Sequence, residues 1–159
     1  MQNKNKVFVK IKIQNKDFDV SKETQILNLD QTGAIVNFVG VVRGKDEERD
    51  LDINSMTLEH YPGMTEFEIE NIINQCITKW DISGVCVIHR VGKLLPKDQI
   101  VFVGVSSKHR QNAFDACNFI MDWLKTKAPF WKLEENSKHK KWVDFNSSDI
   151  NATKKWQKK

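Results

Sequence analysis

Several features are scarce in this 159-residue chain, and each scarcity removes a class of function. Apolar runs are short, such as Ile100–Val103, against the ~20 residues that a helix needs to span a bilayer. The opening "MQNKNKVFVKIKIQNK" interrupts its apolar residues with lysines and offers no signal-peptide core, so a cytoplasmic location is expected. Cysteine is limited to Cys76, Cys86 and Cys117, an odd number without CxxC or Cys/His ligand spacing. Neither a disulfide framework nor a zinc site is indicated, and all three thiols fall in apolar periodic segments where free cysteine is usually inert. The seven glycines form no phosphate-cradling loop and no dinucleotide fingerprint. There is no G-x-S-x-G and no H-E-x-x-H, and His60, His89, His109 and His139 are scattered, so no metal is expected.

Basic charge is present but unevenly placed. The formal net charge is +4, yet the last nine residues, "NATKKWQKK", hold four lysines and no acid. Without them the chain carries 21 basic and 21 acidic side chains. Residues 1–150 therefore read as a formally neutral domain, and 151–159 as a basic, disordered C-terminal tail. A function based on positive charge must use a local cluster, because the body has no global field.

With 40% hydrophobic and 29% charged residues, the rest is ordinary for one globular domain. "VFVKIKI" (7–13) alternates strictly and predicts a half-buried strand. A short helix is expected near "SKETQILNLD", and "GAIVNFVGVVRG" (33–44) reads as a strand ending at Gly44. The six charged residues "KDEERD" predict a mobile surface loop, and "INSMTLEHY" (53–61) another strand. Residues 65–80 predict a helix opened by a Thr65/Glu68 capping box, with Ile69, Ile72, Ile73, Cys76, Ile77 and Trp80 on one stripe. "GVCVIHRVG" and "QIVFVGVSS" predict two strands joined by the turn "KLLPKD". A second helix is expected from an N-cap at Ser106 or Ser107 to about Lys127, burying Ala113, Cys117, Ile120 and Leu124, and Pro129 prevents its continuation. "KWVDF" (141–145) predicts a last strand. The fold class is α+β: one domain, with a mostly antiparallel sheet packed against two main helices.

Three basic features could carry chemistry. Lys108, His109 and Arg110 open the second helix, where free N–H groups and the dipole already favour an anion. Either this is a solvated, charged first turn or something negative binds there. Arg43 ends a strand before glycine, to be paired with Glu47 or Glu48 or presented at a sheet edge. The stretch "LKTKAPFWK" (124–132) puts Lys125 and Lys127 at a helix end, which the dipole explains, but Lys132 follows an aromatic pair after the turn. Trp131 beside Lys132 could wall a pocket for a flat polar ligand, and a lysine there could serve as an acid/base or an electrostatic clamp. Arg110 and Lys125 are 15 residues apart on one helix, which is roughly 22 Å. If both ends serve one small ligand, the simplest geometry is a two-fold dimer with composite sites.

At these residues the sequence resembles the large, catalytic subunit of molybdopterin synthase. The resemblance is carried by "VIHRVGKLLPKDQIVFVGVSSKHRQNAFDACNFIMDWLKTKAPFWKLE" (87–134), with "VNFVGVVRG" and "LEHYPGMTE" before it. It implies an α/β-hammerhead-like, homodimerising fold. It also implies a sulfur transferase of molybdenum cofactor biosynthesis, which converts cyclic pyranopterin monophosphate to molybdopterin. The sulfur would come from a thiocarboxylate on the C-terminal Gly-Gly of a small ubiquitin-like partner, within a heterotetramer built on a dimer of large subunits. No cofactor, nucleic acid or membrane is implied. By motif match, Val41, Val42, Arg43, His109, Arg110, Lys125, Lys132, Leu133 and Glu134 fall on substrate-binding positions. Lys125 falls on the catalytic position, assisted by Lys132. The chain departs from the family pattern at Lys93 and Lys97, where an acid and a glycine are expected, and at Leu133, where a basic residue is expected. The alternative reading is a non-enzymatic polyanion- or RNA-binding module that uses the Lys/Arg cluster with Trp131 as a stacking platform.

Overall fold

The computed structural model describes residues 6–143 and 147–157, with the side chain of Ser147 excepted. Its elements run β1 (Phe8–Gln14), α1 (Val20–Gln25), β2 (Ala34–Val41), β3 (Lys45–Asp46), β4 (Leu51–Asp52), β5 (Ser55–His60), α2 (Met64–Lys79), β6 (Gly84–Arg90), β7 (Gly92–Leu94), β8 (Gln99–Ser107), α3 (Arg110–Leu124), β9 (Phe130–Glu135), β10 (Lys140–Val143) and α4 (Ser147–Gln157).

One four-stranded sheet has the order β1-β6-β8-β2 and a second the order β10-β9-β5-β7; β3 and β4 pair with each other. Among the described residues only β1 with β6 is parallel, so the architecture is α+β and mostly antiparallel. The central strands β6 and β8 carry near-continuous β-branched residues because both faces of their sheet are covered. On one face Val85, Val87, Val101, Val103 and Val105 meet α2 and α3 through Ile69, Ile72, Ile73, Cys76, Ala116, Cys117 and Ile120. On the other face Cys86, Ile88 and Phe102 pack under Phe18 and Leu27, beside the short helix α1. A smaller cluster of Val42, Met56, Leu58 and Leu94 holds the second sheet to the first.

Five expectations are corrected. "KDEERD" is an ordered hairpin, closed by Lys45–Asp50 at 2.7 Å and Arg49–Asp46 at 3.6 Å. The turn "KLLPKD" contains the end of β7, which leaves the first sheet to pair with β5. Helix α2 starts at Met64 with Gly63 as its N-cap, and Glu66 Oε2 accepts the Gly63 N–H at 2.7 Å; the Thr65/Glu68 box does not form. His109 is the N-cap of α3 and makes no side-chain cap bond, while Ser107 Oγ accepts the His109 N–H at 3.2 Å and donates to the Asp81 carbonyl. The C-terminal tail is not disordered over 151–157, because α4 docks through Trp156. The Trp156 ring meets Trp80 and Phe119 edge-on at 5.6 and 5.4 Å, and its Nε1 donates to Asp122 at 2.7 Å. Two aromatic edges and a charge-assisted bond outweigh the low helix tendency of a lysine-rich segment. Of the predicted last strand, residues 144 and 145 lie outside the described residues.

Candidate functional site

Helix α3 runs unbroken from Arg110 to Leu124, with Lys125 as its C-cap. The exposed His109 and Arg110 therefore stand about 22 Å from Lys125 along one helix, and within one subunit the two groups are not brought together. No acidic side chain occupies the first turn of α3, and its N-cap lacks a side-chain acceptor. The positive end is thus left without negative charge of its own.

Lys125 lies in a cleft of about 350 Å³ between α3 and β2. β2 is an edge strand, and it contributes Val36, Asn37 and Phe38. From α3 come Phe114, Cys117, Asn118, Met121 and Asp122, and from α4 comes Asp149. Asn118 and Met121 recur with Phe114 and Lys125 at helical spacing on one face. Phe114 is 58% exposed at this cleft, and Phe38 is 38% exposed. The cleft thus joins the apolar Val36, Phe38, Phe114 and Met121 and the polar Asn37, Asn118 and Asp122 to one cation, whose Nζ is 3.7 Å from Asp149 Oδ1.

The same strand leads to the next candidates. A register shift between Gly40 and Val41 bulges the pairing with β8 and re-aims the strand end. Val41 is 51% exposed and Arg43 is exposed, whereas Val42 is buried against Met56, Leu58 and Leu94. The Val42 N–H donates to Asp98 and its carbonyl accepts from Lys97, at 2.9 and 2.8 Å. Val42 is the anchor that presents its two neighbours. Among the described residues Arg43 forms no ion pair, with Glu47 and Glu48 included.

Lys132 sits on β9, directly opposite Leu58 of β5 and Val143 of β10. Side chains alternate along a strand, so Phe130, Lys132 and Glu134 share the face that carries Leu58 and Met56. Lys132 Nζ is 3.4 Å from Glu134 Oε1 on that face. Trp131 and Leu133 occupy the opposite face, which corrects the expectation that Trp131 and Lys132 wall one pocket. It also leaves only the backbone of Leu133 on the Lys132 side. Lys127 is absorbed elsewhere, lying 4.5 Å over the Trp123 ring.

The three thiols are buried, and burial pushes Cys76, Cys86 and Cys117 up to about 12, far from the thiolate that a nucleophile requires. No helix among the described residues is long and apolar enough to cross a membrane. Reading the sequence missed Phe38, Phe114, Met121 and Asp149. The first three carried only an apolar signal shared with the core, and Asp149 lay beside a tail discounted as disordered.

The MoaE protein family matches residues 13–127. A molybdopterin synthase catalytic subunit of Ralstonia nicotianae is 47% identical over 148 residues, which is 92% of this chain and 83% of that protein. Among solved structures, the molybdopterin biosynthesis MoaE protein of Burkholderia ambifaria superposes with a TM-score of 0.80 at 44% identity, covering 96% of this chain and all of that one. A complex of subunits 1 and 2 of molybdopterin-converting factor from Helicobacter pylori shares the fold, with a TM-score of 0.68 at 19% identity, covering 87% of this chain and 92% of that one. The family match spans both ends of α3, Arg43 and Lys125, and the chain belongs to the MoaE family of molybdopterin synthase catalytic subunits.

Proposed function

We propose that this chain converts cyclic pyranopterin monophosphate to molybdopterin in the cytoplasm, using sulfur from the C-terminal thiocarboxylate of a small ubiquitin-like partner. The observation that carries the proposal is the Lys125 cleft: a mixed apolar and polar lining, an open mouth along an edge strand and one cation at the helix end, paired with Asp149. An extended Gly-Gly tail has no side chains to exclude, so a narrow cleft of this kind can admit it. The unpaired backbone of β2 supplies hydrogen-bonding groups along its path.

The chemistry requires two C–S bonds, each formed as a thiocarboxylate sulfur displaces an oxygen from a skeletal carbon of the cyclic precursor. The C–O bond breaks and the oxygen leaves as a phosphate ester or as water. Water then hydrolyses each acyl–sulfur link, which leaves the sulfur on the product and a carboxylate on the partner. Each step develops negative charge on oxygen. Lys125 is the group placed to stabilise that charge and to deliver a proton, and Lys132 assists from β9. Arg43 and Val41, presented by the buried Val42, line the substrate side with Lys132, Glu134 and the backbone of Leu133. His109 and Arg110 bind the substrate's anionic end from a second copy of the chain, because α3 holds them too far from their own Lys125. The working assembly is then a homodimer with a small subunit at each composite site. The sulfur belongs to the partner, and none of the three buried thiols takes part.

The test is a reconstitution with the cyclic precursor and a thiocarboxylated small partner. Lys125→Ala is expected to lose at least about 100-fold in rate, a typical share for a positioned proton donor. Equal rates for wild type and Lys125→Ala would remove Lys125 from the mechanism. A fully active monomer would remove the composite site.

A further inference from the structure

The two lysines assigned to catalysis are seven residues apart, with a helix end, a turn and a strand start between them. Seven residues span roughly 10 Å if helical and roughly 23 Å if extended, so the spacing of the two amines is not set by chain length. Something outside the segment must set it.

Two side chains from other elements grip the turn. Thr65, in the first turn of α2, has no exposed surface. Its Oγ1 accepts the Tyr61 N–H at 3.0 Å and donates to the Pro129 carbonyl at 2.9 Å, a contact across 64 residues. A threonine at a helix start ordinarily caps its own helix, but here Gly63 and Glu66 do that and the hydroxyl is spent on the lysine turn. One residue later, the Phe130 ring stacks on His89 of β6, with centroids 3.8 Å apart and planes 16° from parallel. His89 is 8% exposed, and its Nδ1 lies 2.8 Å from the Arg90 carbonyl. That carbonyl can only accept, so Nδ1 carries the hydrogen and the ring is held in one orientation. Between the two grips, the Phe130 N–H closes a tight turn onto the Ala128 carbonyl at 2.9 Å. Phe130 and Lys132 then share one face of β9, about 7 Å apart.

We propose that Thr65 and His89 are positioning residues for the reaction: the Thr65 hydroxyl fixes the Pro129 carbonyl, the His89 ring seats Phe130, and together they set the separation of Lys125 from Lys132. The inference rests on the assignment of both lysines to the chemistry. Both residues are buried, and no contact with the substrate is assigned to either.

The test uses the full chain with its thiocarboxylated partner and the cyclic precursor. Thr65→Val keeps the shape and removes the hydroxyl, whereas Thr65→Ser keeps the hydroxyl. Thr65→Val is expected to lower kcat by roughly 10- to 100-fold, as a misplacement near 1 Å does, with KM for the precursor within about threefold of wild type. Thr65→Ser should return kcat to within about threefold. Phe130→Leu keeps an apolar side chain but loses the stack, and should lower kcat by roughly 3- to 10-fold with the same unchanged KM. Lys125→Ala is assayed alongside. Wild-type kcat in folded Thr65→Val beside an inactive Lys125→Ala overturns this inference alone, whereas wild-type kcat in Lys125→Ala overturns the lysine assignment beneath it. If Thr65→Val does not fold, folded Phe130→Leu decides by the same criteria. A variant that loses thermal stability but keeps its kcat counts against positioning.

Discussion

Gly33→Ala is the most informative single substitution outside the lysines. Gly33 precedes β2, and its N–H donates to the Ser107 carbonyl at 3.0 Å. A Cβ built there would lie 2.4 Å from the Lys108 carbonyl oxygen, a backbone atom with no rotamer to escape into. Ordinary carbon–oxygen contact begins at about 3.3 Å, so the two backbones must separate by about 0.9 Å. Overpacking of this kind costs about 1–3 kcal/mol. At about 2–4 °C per kcal/mol for a chain of this size, Tm should fall by about 2–12 °C. The displaced segment leads directly into His109 and Arg110, so KM for the cyclic precursor should rise by roughly tenfold, with a smaller change in kcat. Gly44→Ala is the control, since its nearest neighbour would be Pro96 Cβ at 3.7 Å and its stability should stay within about 0.5 kcal/mol. The assays are a thermal melt and a substrate titration in the reconstituted system. A Gly33→Ala protein with wild-type Tm would show that the 31–33 segment yields freely. A lowered Tm with unchanged KM would show that the start of α3 does not hold substrate.

Three further outcomes are expected. Replacing Cys76, Cys86 and Cys117 together with Ala should leave sulfur transfer within about threefold of wild type per folded molecule, because burial suppresses all three thiolates; loss of transfer in a well-folded triple variant would refute donation in trans. His89 is held down to about 4, first by burial, against the raising effect of the Arg90 carbonyl and with His60 lowering it further. The unfolded chain therefore takes up a proton below about 6.5 that the folded chain refuses. About 3 kcal/mol of stability should be lost as pH falls from 6.5 to 4, with no change above, and urea melts of His89→Gln should show a flatter dependence. Lys97 has a φ of 75°, in the left-handed region that glycine prefers, so Lys97→Gly should gain about 0.5–1 kcal/mol and raise Tm by about 1–4 °C in a thermal melt.

The strands and the two long helices were legible because their periods are clean. Val85, Val87, Val101, Val103 and Val105 alternate into one core, and Ile69, Ile72, Ile73 and Cys76 repeat at helical spacing. What escaped reading depended on contacts distant in sequence. β7 is three residues long and acquires strand character only from its pairing with β5. Nothing local in "NATKKWQKK" favours a docked helix; the reason is the niche that Trp80 and Phe119 offer to Trp156. The site divides in the same way. Lys125, His109 and Arg110 are found by residue type and spacing, whereas the cleft depends on which strand forms the edge of the sheet. Adjacency in sequence was misleading at Trp131 and Lys132, because a strand sends neighbours to opposite faces.

Fold and site meet in α3. A buried helix normally spends its length on the core, and Ala113, Ala116, Cys117, Ile120 and Leu124 do so. Its two ends remain at the surface, about 22 Å apart, and carry two cations, Arg110 and Lys125, of opposite electrostatic standing. Lys125 sits where the dipole welcomes it and is further balanced by Asp149, so it needs no ligand to be stable. Arg110 sits where the dipole opposes it, beside His109 and without an acidic neighbour in the first turn. Binding an anion therefore relieves the start of the helix and leaves the other end unaffected. In the proposed dimer, a substrate with its phosphate at one copy's α3 start and its reacting carbon at another copy's α3 end would use each terminus for the task its field favours, anion capture at one and proton delivery at the other.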